Sequence, residues 1–385
     1  MSTPSAARPP RLAPRVALVR GRYDPAGGAE RFVQGAIEAL RAQGASITIV
    51  AREWPGHDGS AILVQPFHLG SLWRDRAFAR AACAELARRR FDLVQSHERI
   101  ACCDVYRAGD GVHAQWLEER ARAQGALARL ATRLSPHHRY LLAAERELFA
   151  SPRLRAVICN SEMVRGEIAS RFGTDPAKLV LIRNAVDPAR FHPGLREEMR
   201  AAVRQQLGIP ADARLVAHVG SGFERKGVRF LLEALARARS RPWAVFAGRD
   251  KHARRYAALA ARLGLAERVR FAGGVSDVRP YLAAADAFAL ATLYDPQPNA
   301  VLEAMAAGLP VVTTPKCGAA ELLAEGQSGY VRDALDVAGL AEALDRLDPG
   351  TALRMGEAAR AAVLPYPPEA MAAEYVALYR RLLRR

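Results

Sequence analysis

The chain has 385 residues, 50% hydrophobic and 25% charged, enough for two domains that each bury a core. Its formal net charge of +16 favours anionic partners: nucleic acid, phosphorylated metabolites or an acidic membrane surface. No apolar run approaches the ~18–20 residues that span a bilayer, and the odd set Cys83, Cys102, Cys103, Cys159 and Cys317, with no CxxC pair or His cluster, argues against a disulfide framework or a zinc site.

The opening stretch MSTPSAARPPRLAP lacks an apolar signal core and reads as a short disordered leader on a cytoplasmic protein. Val16–Val19 then reads as a buried strand followed by a glycine-rich turn, and Phe32, Val33, Ala36, Ile37 and Leu40 mark one face of a helix. Ser46–Ala51, Ile62–Val64, Leu93–Gln95, Ala156–Cys159 and Leu179–Arg183 continue as strands. The rhythm restarts at Leu215–Val219, with a helix around Phe230–Ala238. Further strands follow at Trp243–Ala247, Val269–Phe271, Ala287–Leu290 and Val311–Thr313. Two strand–glycine turn–helix openings, near Gly27 and Gly220, imply two doubly wound α/β domains with mostly parallel sheets. Pro188 and Pro193 place the linker near Asp187–Leu195. The last stretch, Pro368–Arg385, is a helix whose apolar Met371, Tyr375, Leu378 and Leu382 must pack somewhere. The expected units are therefore residues 15–190, 191–367 and a closing helix, 368–385.

Three segments can carry chemistry. In Tyr294–Pro310 (YDPQPNAVLEAMAAGLP), Asn299 can cap a helix that Gly308 and Pro310 terminate. Free amides at such a helix start favour a phosphate. Asp295 in the loop and Glu303 one turn into the helix can accept hydrogen bonds from sugar and ribose hydroxyls. An acid early in a helix is also favoured by the dipole alone. His218–Gly227 (HVGSGFERKG) follows a strand and offers Arg225 and Lys226 to a diphosphate whose charge grows on leaving, or forms an ordinary solvated basic loop. Gly27–Val33 (GGAERFV) is neither GxGxxG nor a Walker loop; its glycines make a tight turn with amides that can face a ligand.

Together and in this order, these segments resemble the family 4 glycosyltransferases of the GT-B fold. The E-x7-E motif of that family corresponds to Asp295–Glu303, with Asp in first place. Its GGxER loop corresponds to Gly27–Arg31 and its Arg-Lys pair to Arg225–Lys226. RNAVD at Arg183–Asp187 and FHP at Phe191–Pro193 look like its interdomain segment. Within the family the chain is similar to the lipopolysaccharide core glucosyltransferases that add the first glucose to inner-core heptose. The strings CDVYRAGDGVHAQWLE (Cys103–Glu118), SGFERKGV (Ser221–Val228) and TTPKCG (Thr313–Gly318) carry that similarity.

The resemblance implies two Rossmann-like domains facing across a cleft, with the C-terminal helix crossing back to the first. It implies a retaining, metal-independent hexosyltransferase using a UDP-sugar, UDP-glucose above all, as substrate rather than cofactor. By position, Glu303 binds the nucleotide ribose and Asp295 the donor sugar. Asn299, Ala300 and Val301 present amides, and Arg225 and Lys226 clamp the diphosphate. Gly27 and Gly28 let the first domain close, while Gly273 and Val275 border the base. Asp295 is one methylene shorter than the usual Glu, which opens the identity of the donor sugar.

On the acceptor side, the resemblance places Asp110, and His113 beside it can position a hydroxyl; His97 is a weaker candidate. Residues Gln115–Phe149 interleave arginines with Trp116, Leu127, Leu130, Leu134 and Leu141, the pattern of an amphipathic helix on an anionic bilayer or of a core helix with a solvated face. Trp73–Arg80 and Arg88–Arg90 add basic patches. A lipopolysaccharide core acceptor and peripheral attachment to the inner membrane follow from the resemblance. A nucleic-acid partner is not expected: the charge fits one, but no helix-turn-helix, zinc finger or aromatic RNA-binding strand is present.

Overall fold

The computed structural model describes residues 14–22, 41, 44–54 and 61–384. Short, mostly apolar and mostly buried runs build two all-parallel sheets. The first contains β1 (Arg15–Arg22), β2 (Ser46–Glu53), β3 (Ala61–Leu63), β4 (Leu93–Ser96), β5 (Val105–Arg107), β6 (Ala156–Cys159) and β7 (Leu179–Leu181), in the order β3-β2-β1-β4-β5-β6-β7. The second contains β8 (Leu215–Val219), β9 (Trp243–Ala247), β10 (Val269–Gly273), β11 (Ala287–Ala289), β12 (Val311–Thr313) and β13 (Gly329–Val331), in the order β10-β9-β8-β11-β12-β13. In each sheet the chain starts in the middle, builds outward, then returns to the other side. The direction of building reverses between β1 and β4 and between β8 and β11, where such sheets bind ligands at the strand ends. Both domains are Rossmann-like.

The closing helix, Pro368–Leu383, belongs to the first domain. Met371, Tyr375, Leu378, Tyr379 and Leu382 pack into one core with Val16, Leu18, Ile47 and Ile49 from β1 and β2. Burying each such large side chain is worth about 1.5–3 kcal/mol. Its polar tips are satisfied inside that core: Arg107 Nε donates to the Tyr375 hydroxyl at 2.8 Å, and Tyr379 donates to Gln95 Oε1.

Two expectations need correction. Gln115–Phe149 is not one amphipathic helix but parts of three, His113–Arg122, Ala126–Leu134 and Pro136–Ala150. Gly125 separates the first two. Ser135 caps the third, its side chain accepting from the His138 N–H, with Pro136 at the first helical position. The cysteines do not all remain free. Cys83, on the Gly70–Arg88 helix, forms a disulfide with Cys102 in the loop after β4, while Cys103, Cys159 and Cys317 are buried thiols. The expected helix at residues 32–40 lies outside the described residues.

Candidate active site

The loop that leaves β8 runs Gly220–Gly227 and lies against the segment that leaves β11. Gly227 sits at φ +65° with its α-carbon pressed on the Ala291 carbonyl, so no side chain fits there. The Arg225 carbonyl accepts from Leu293 N–H at 2.9 Å and from Thr292 Oγ1 at 2.8 Å. This stitching puts Lys226 Nζ in direct contact with Asp295 Oδ2. Asp295 is itself fixed by its backbone: its N–H donates to the Lys316 carbonyl and its carbonyl accepts from Gly318 N–H, both at 2.8 Å. The adjacent Cys317 thiol is pushed up to about 12, first by burial and then by the Asp295 charge, so it stays protonated.

Arg225 spans the cleft. Its Nε donates to the Tyr294 carbonyl at 2.8 Å and its Nη2 to the Asp110 carbonyl at 3.1 Å. The guanidinium lies 5.5 Å from the ring centroids of both Trp116 and Tyr294, one from each domain, within cation–π range. Arg225 of the second domain is thereby held against the Asp110 loop of the first.

That loop is built on buried charge. Asp110 reaches solvent at the edge of this loop. Burial would raise its carboxyl, but the charges of Arg99, Arg225, Arg20 and Arg107 outweigh this and hold it below the ordinary range. Arg99 donates from Nη2 to the Gly111 carbonyl at 3.1 Å and from Nε to Glu145 Oε1 at 3.0 Å. Glu145, almost wholly buried, also accepts from the first amides of the His113–Arg122 helix, His113 and Ala114, so the orphan N–H groups there are already occupied. His113 is buried, and burial together with Arg99, His138, His137 and Arg225 presses its pKa down to about 3. It is a neutral imidazole with Nε2 3.1 Å from His138 Nδ1. His97 is neutral too, desolvated and facing Arg107 and Arg20.

Glu303 lies buried in the Asn299–Ala306 helix that follows the Asp295 loop. The helix start differs from expectation. Pro298, not Asn299, is the capping position, and Asn299 Oδ1 accepts from Asn184 Nδ2 at 2.9 Å. Of the three amides at this end, that of Val301 donates to the Pro298 carbonyl at 3.1 Å. Gly308 closes the helix in the left-handed region at φ +80°. Gly273 ends β10, two strands from β8, and Val275 follows it, half-buried. Gly27 and Gly28 lie outside the described residues.

Several residues that shape the site were not singled out from sequence. Tyr294, fully buried, crosses from the second domain to the first, where its hydroxyl meets Val112 and Glu167. Lys316 Nζ pairs with Glu167 at 2.9 Å. Asn184, at the exit of β7, ties Arg107 to the 295–299 loop: its Oδ1 accepts from Arg107 Nη2 at 2.6 Å and its Nδ2 donates to the Gln297 carbonyl at 2.8 Å. Gln297 Oε1 accepts from the Asn184 N–H, while its own Nε2 is buried without a partner. Tyr294 and Lys316 adjoin the Asp295 motif or lie in TTPKCG; Glu167 carries no sequence signal. Among the described residues no group of His, Cys, Asp and Glu could hold a metal ion.

Two family models match this chain: Glycosyltransferase Family 4 over residues 26–190 and Glycosyl transferases group 1 over 213–348, most of both domains. The chain belongs to the family 4 glycosyltransferases. This glycosyltransferase is 29% identical over 323 residues to the lipopolysaccharide glucosyltransferase WaaG of Escherichia coli strain K12, spanning 82% of this chain and 84% of that one. It is 34% identical over 207 residues to the lipopolysaccharide core biosynthesis glycosyltransferase LpsE of Rhizobium meliloti, covering 48% of this chain and 60% of that relative. The crystal structure of WaaG, a glycosyltransferase involved in lipopolysaccharide biosynthesis, superposes with a TM-score of 0.78 at 28% identity, over 93% of this chain and 98% of that one. The fold is GT-B.

Proposed function

We propose that this glycosyltransferase transfers glucose from UDP-glucose to a heptose of the lipopolysaccharide core, with retention of anomeric configuration. The observation that carries the reading is the contact of Lys226 with Asp295, beside an Arg225 that reaches the Asp110 loop. A diphosphate clamp, a sugar-binding acid and the acceptor side thus adjoin one another. In this reading Arg225 and Lys226 meet the negative charge that grows on the β-phosphate as its bond to C1 breaks. The acceptor hydroxyl attacks C1 from the same face and passes its proton to the departing phosphate oxygen. His113, neutral with a pKa of about 3, orients rather than deprotonates. Glu303 holds ribose hydroxyls, and Gln297 Nε2 supplies an N–H to a sugar oxygen. The two cations take the role a metal plays elsewhere, so this reading requires none.

The similarity to WaaG and LpsE supports the core acceptor. The protein would act peripherally at the cytoplasmic face of the inner membrane, with Leu127, Leu130 and Leu134 exposed along one helix. No helix among the described residues is long and apolar enough to cross a membrane.

One observation favours a second reading. Asp295 is a shorter acid than the family's usual Glu and already engages Lys226, a geometry that suits another hexose or an N-acetylhexosamine and a different envelope glycan. A donor screen with isolated lipopolysaccharide cores decides between them, reading UDP release, product mass and the anomeric proton. UDP-glucose and an α-linked product are expected; transfer of another sugar alone would replace the first reading with the second.

A further inference from the structure

The Ala126–Leu134 helix is inside out. Leu127, Leu130 and Leu134 share one face and are 86%, 54% and 62% exposed, and no residue of this helix is buried. Arg129, Thr132 and Arg133 project from the opposite side, as the ~100° step per residue requires, and they border a cavity of about 590 Å³. A helix that rests on a protein in water turns its leucines inward; this one presents them outward and gathers its arginines over the body of the domain.

The cavity beneath is amphipathic. Leu117, Leu142 and Phe172 form an apolar floor, and Arg139 and Arg146 join Arg129 and Arg133 on the rim. Two carboxylates also line it, but both are spent. Glu118 accepts both ends of the Arg171 fork, at 2.8 and 2.7 Å, and Glu145 serves Arg99 and the His113 amide. The four rim arginines have no carboxylate partner among the described residues. A cavity with clustered unpaired guanidiniums above an apolar floor complements a molecule carrying a phosphate and a hydrocarbon chain.

We propose that this cavity binds one anionic phospholipid of the bilayer, its phosphate among Arg129, Arg133, Arg139 and Arg146 and the start of one acyl chain on Leu117, Leu142 and Phe172. The volume admits a headgroup and part of a single chain rather than a many-chained glycolipid. The lipid arrives from the surface on which the leucine face rests, so the inference takes its source of lipid from the membrane reading. Through Glu145, which lines the cavity and also holds Arg99 and His113, the bound lipid would adjoin the acceptor loop.

The test is calorimetric titration of the full chain with lysophosphatidic acid below its aggregation threshold, without donor or acceptor. Saturable binding of one molecule per chain is expected. The double variant Arg133→Glu/Arg146→Glu should weaken it about tenfold or more, and Arg133→Lys/Arg146→Lys should retain most of it. Both positions are exposed, so these variants should fold. Equal affinity for inorganic phosphate would show a site for free anions, and equal affinity for dodecyl maltoside a merely apolar hollow; either overturns the proposal, as does indifference to charge reversal. The triple variant Leu127→Gln/Leu130→Gln/Leu134→Gln should lose adhesion to anionic vesicles yet keep lysophosphatidic acid binding. Loss of both together would show one undivided surface and overturn the separate cavity. A chain that binds the lipid but transfers no hexose would leave this inference standing and remove the functional reading.

Discussion

The backbone N–H of Val112 donates to the phenolic oxygen of Tyr294 at 2.8 Å across the interdomain cleft, and that hydroxyl donates in turn to Glu167 Oε2 at 2.7 Å. Tyr294 precedes Asp295, and Val112 lies between Asp110 and His113. One side chain therefore couples the segment that holds Asp295 to the loop that holds Asp110 and His113. Gly111, at φ +70°, leaves the room that the Tyr294 ring fills.

Tyr294→Phe keeps the ring under Arg225 and removes the hydroxyl. The buried Val112 N–H and Glu167 each lose a partner, at a cost of about 1–3 kcal/mol. The turnover rate of transfer should fall about tenfold, and far-ultraviolet circular dichroism should be unchanged. A variant that turns over like the parent would show that this bridge does not set the reacting geometry.

Lys226→Ala should lower turnover by about two to three orders of magnitude, because a cation aimed at the leaving phosphate acts mainly in the transition state. Glu303→Ala should instead raise the donor KM. Full activity in either folded variant would remove that residue from the site. Asp295→Asn keeps the shape and cancels the charge beside Lys226; a loss smaller than that of Asp295→Ala is expected in the same kinetic assay.

His113 should make the fold sensitive to mild acid. Its folded pKa, about 3, lies below the ~6.5 of an unfolded histidine, so only the unfolded chain gains a proton as pH drops through 6.5. Stability from this group is full above that value and declines by up to about 1.4 kcal/mol per pH unit below it. His218, buried and likewise near 3, and His97 act in the same sense. Urea unfolding at pH 6 and pH 5 should show a steeper loss for the parent than for His113→Gln; parallel losses would contradict the assignment.

The Cys83–Cys102 disulfide spans a sequence separation of 19, for which loop-closure entropy predicts about 3 kcal/mol. Cys83→Ser/Cys102→Ser, or added reductant, should lower the urea midpoint accordingly. A midpoint that ignores reductant would mean that the two thiols are not joined in solution.

The runs that form β1, β2, β4, β6, β8, β9, β11 and β12 were legible because a strand buried on both faces is a mainly apolar string. β5 and β13 were harder: VYR and GYV are three residues each and carry Arg or Gly. The breaks at Gly125 and Ser135–Pro136 had ordinary turn and capping chemistry, overridden by the regular spacing of arginine and leucine. The Asp295–Glu303 and Arg225–Lys226 motifs lie in continuous sequence and were readable. The pairings Tyr294–Val112, Asn184–Gln297 and Cys83–Cys102 join distant segments, and composition carries no record of which segments meet. Asn299 was misread as a cap because the competing partner, Asn184, lies in the other half of the chain.

The first domain's core is completed by residues 371–382, which follow the second domain in the chain. On the ribosome, Val16, Leu18, Ile47 and Ile49 must wait with one flank uncovered while the whole second domain emerges. Vectorial folding from the N-terminus, the usual order for two-domain chains, is denied to this one. A chain that stops before residue 371 would leave that flank bare and pass to chaperones or proteases.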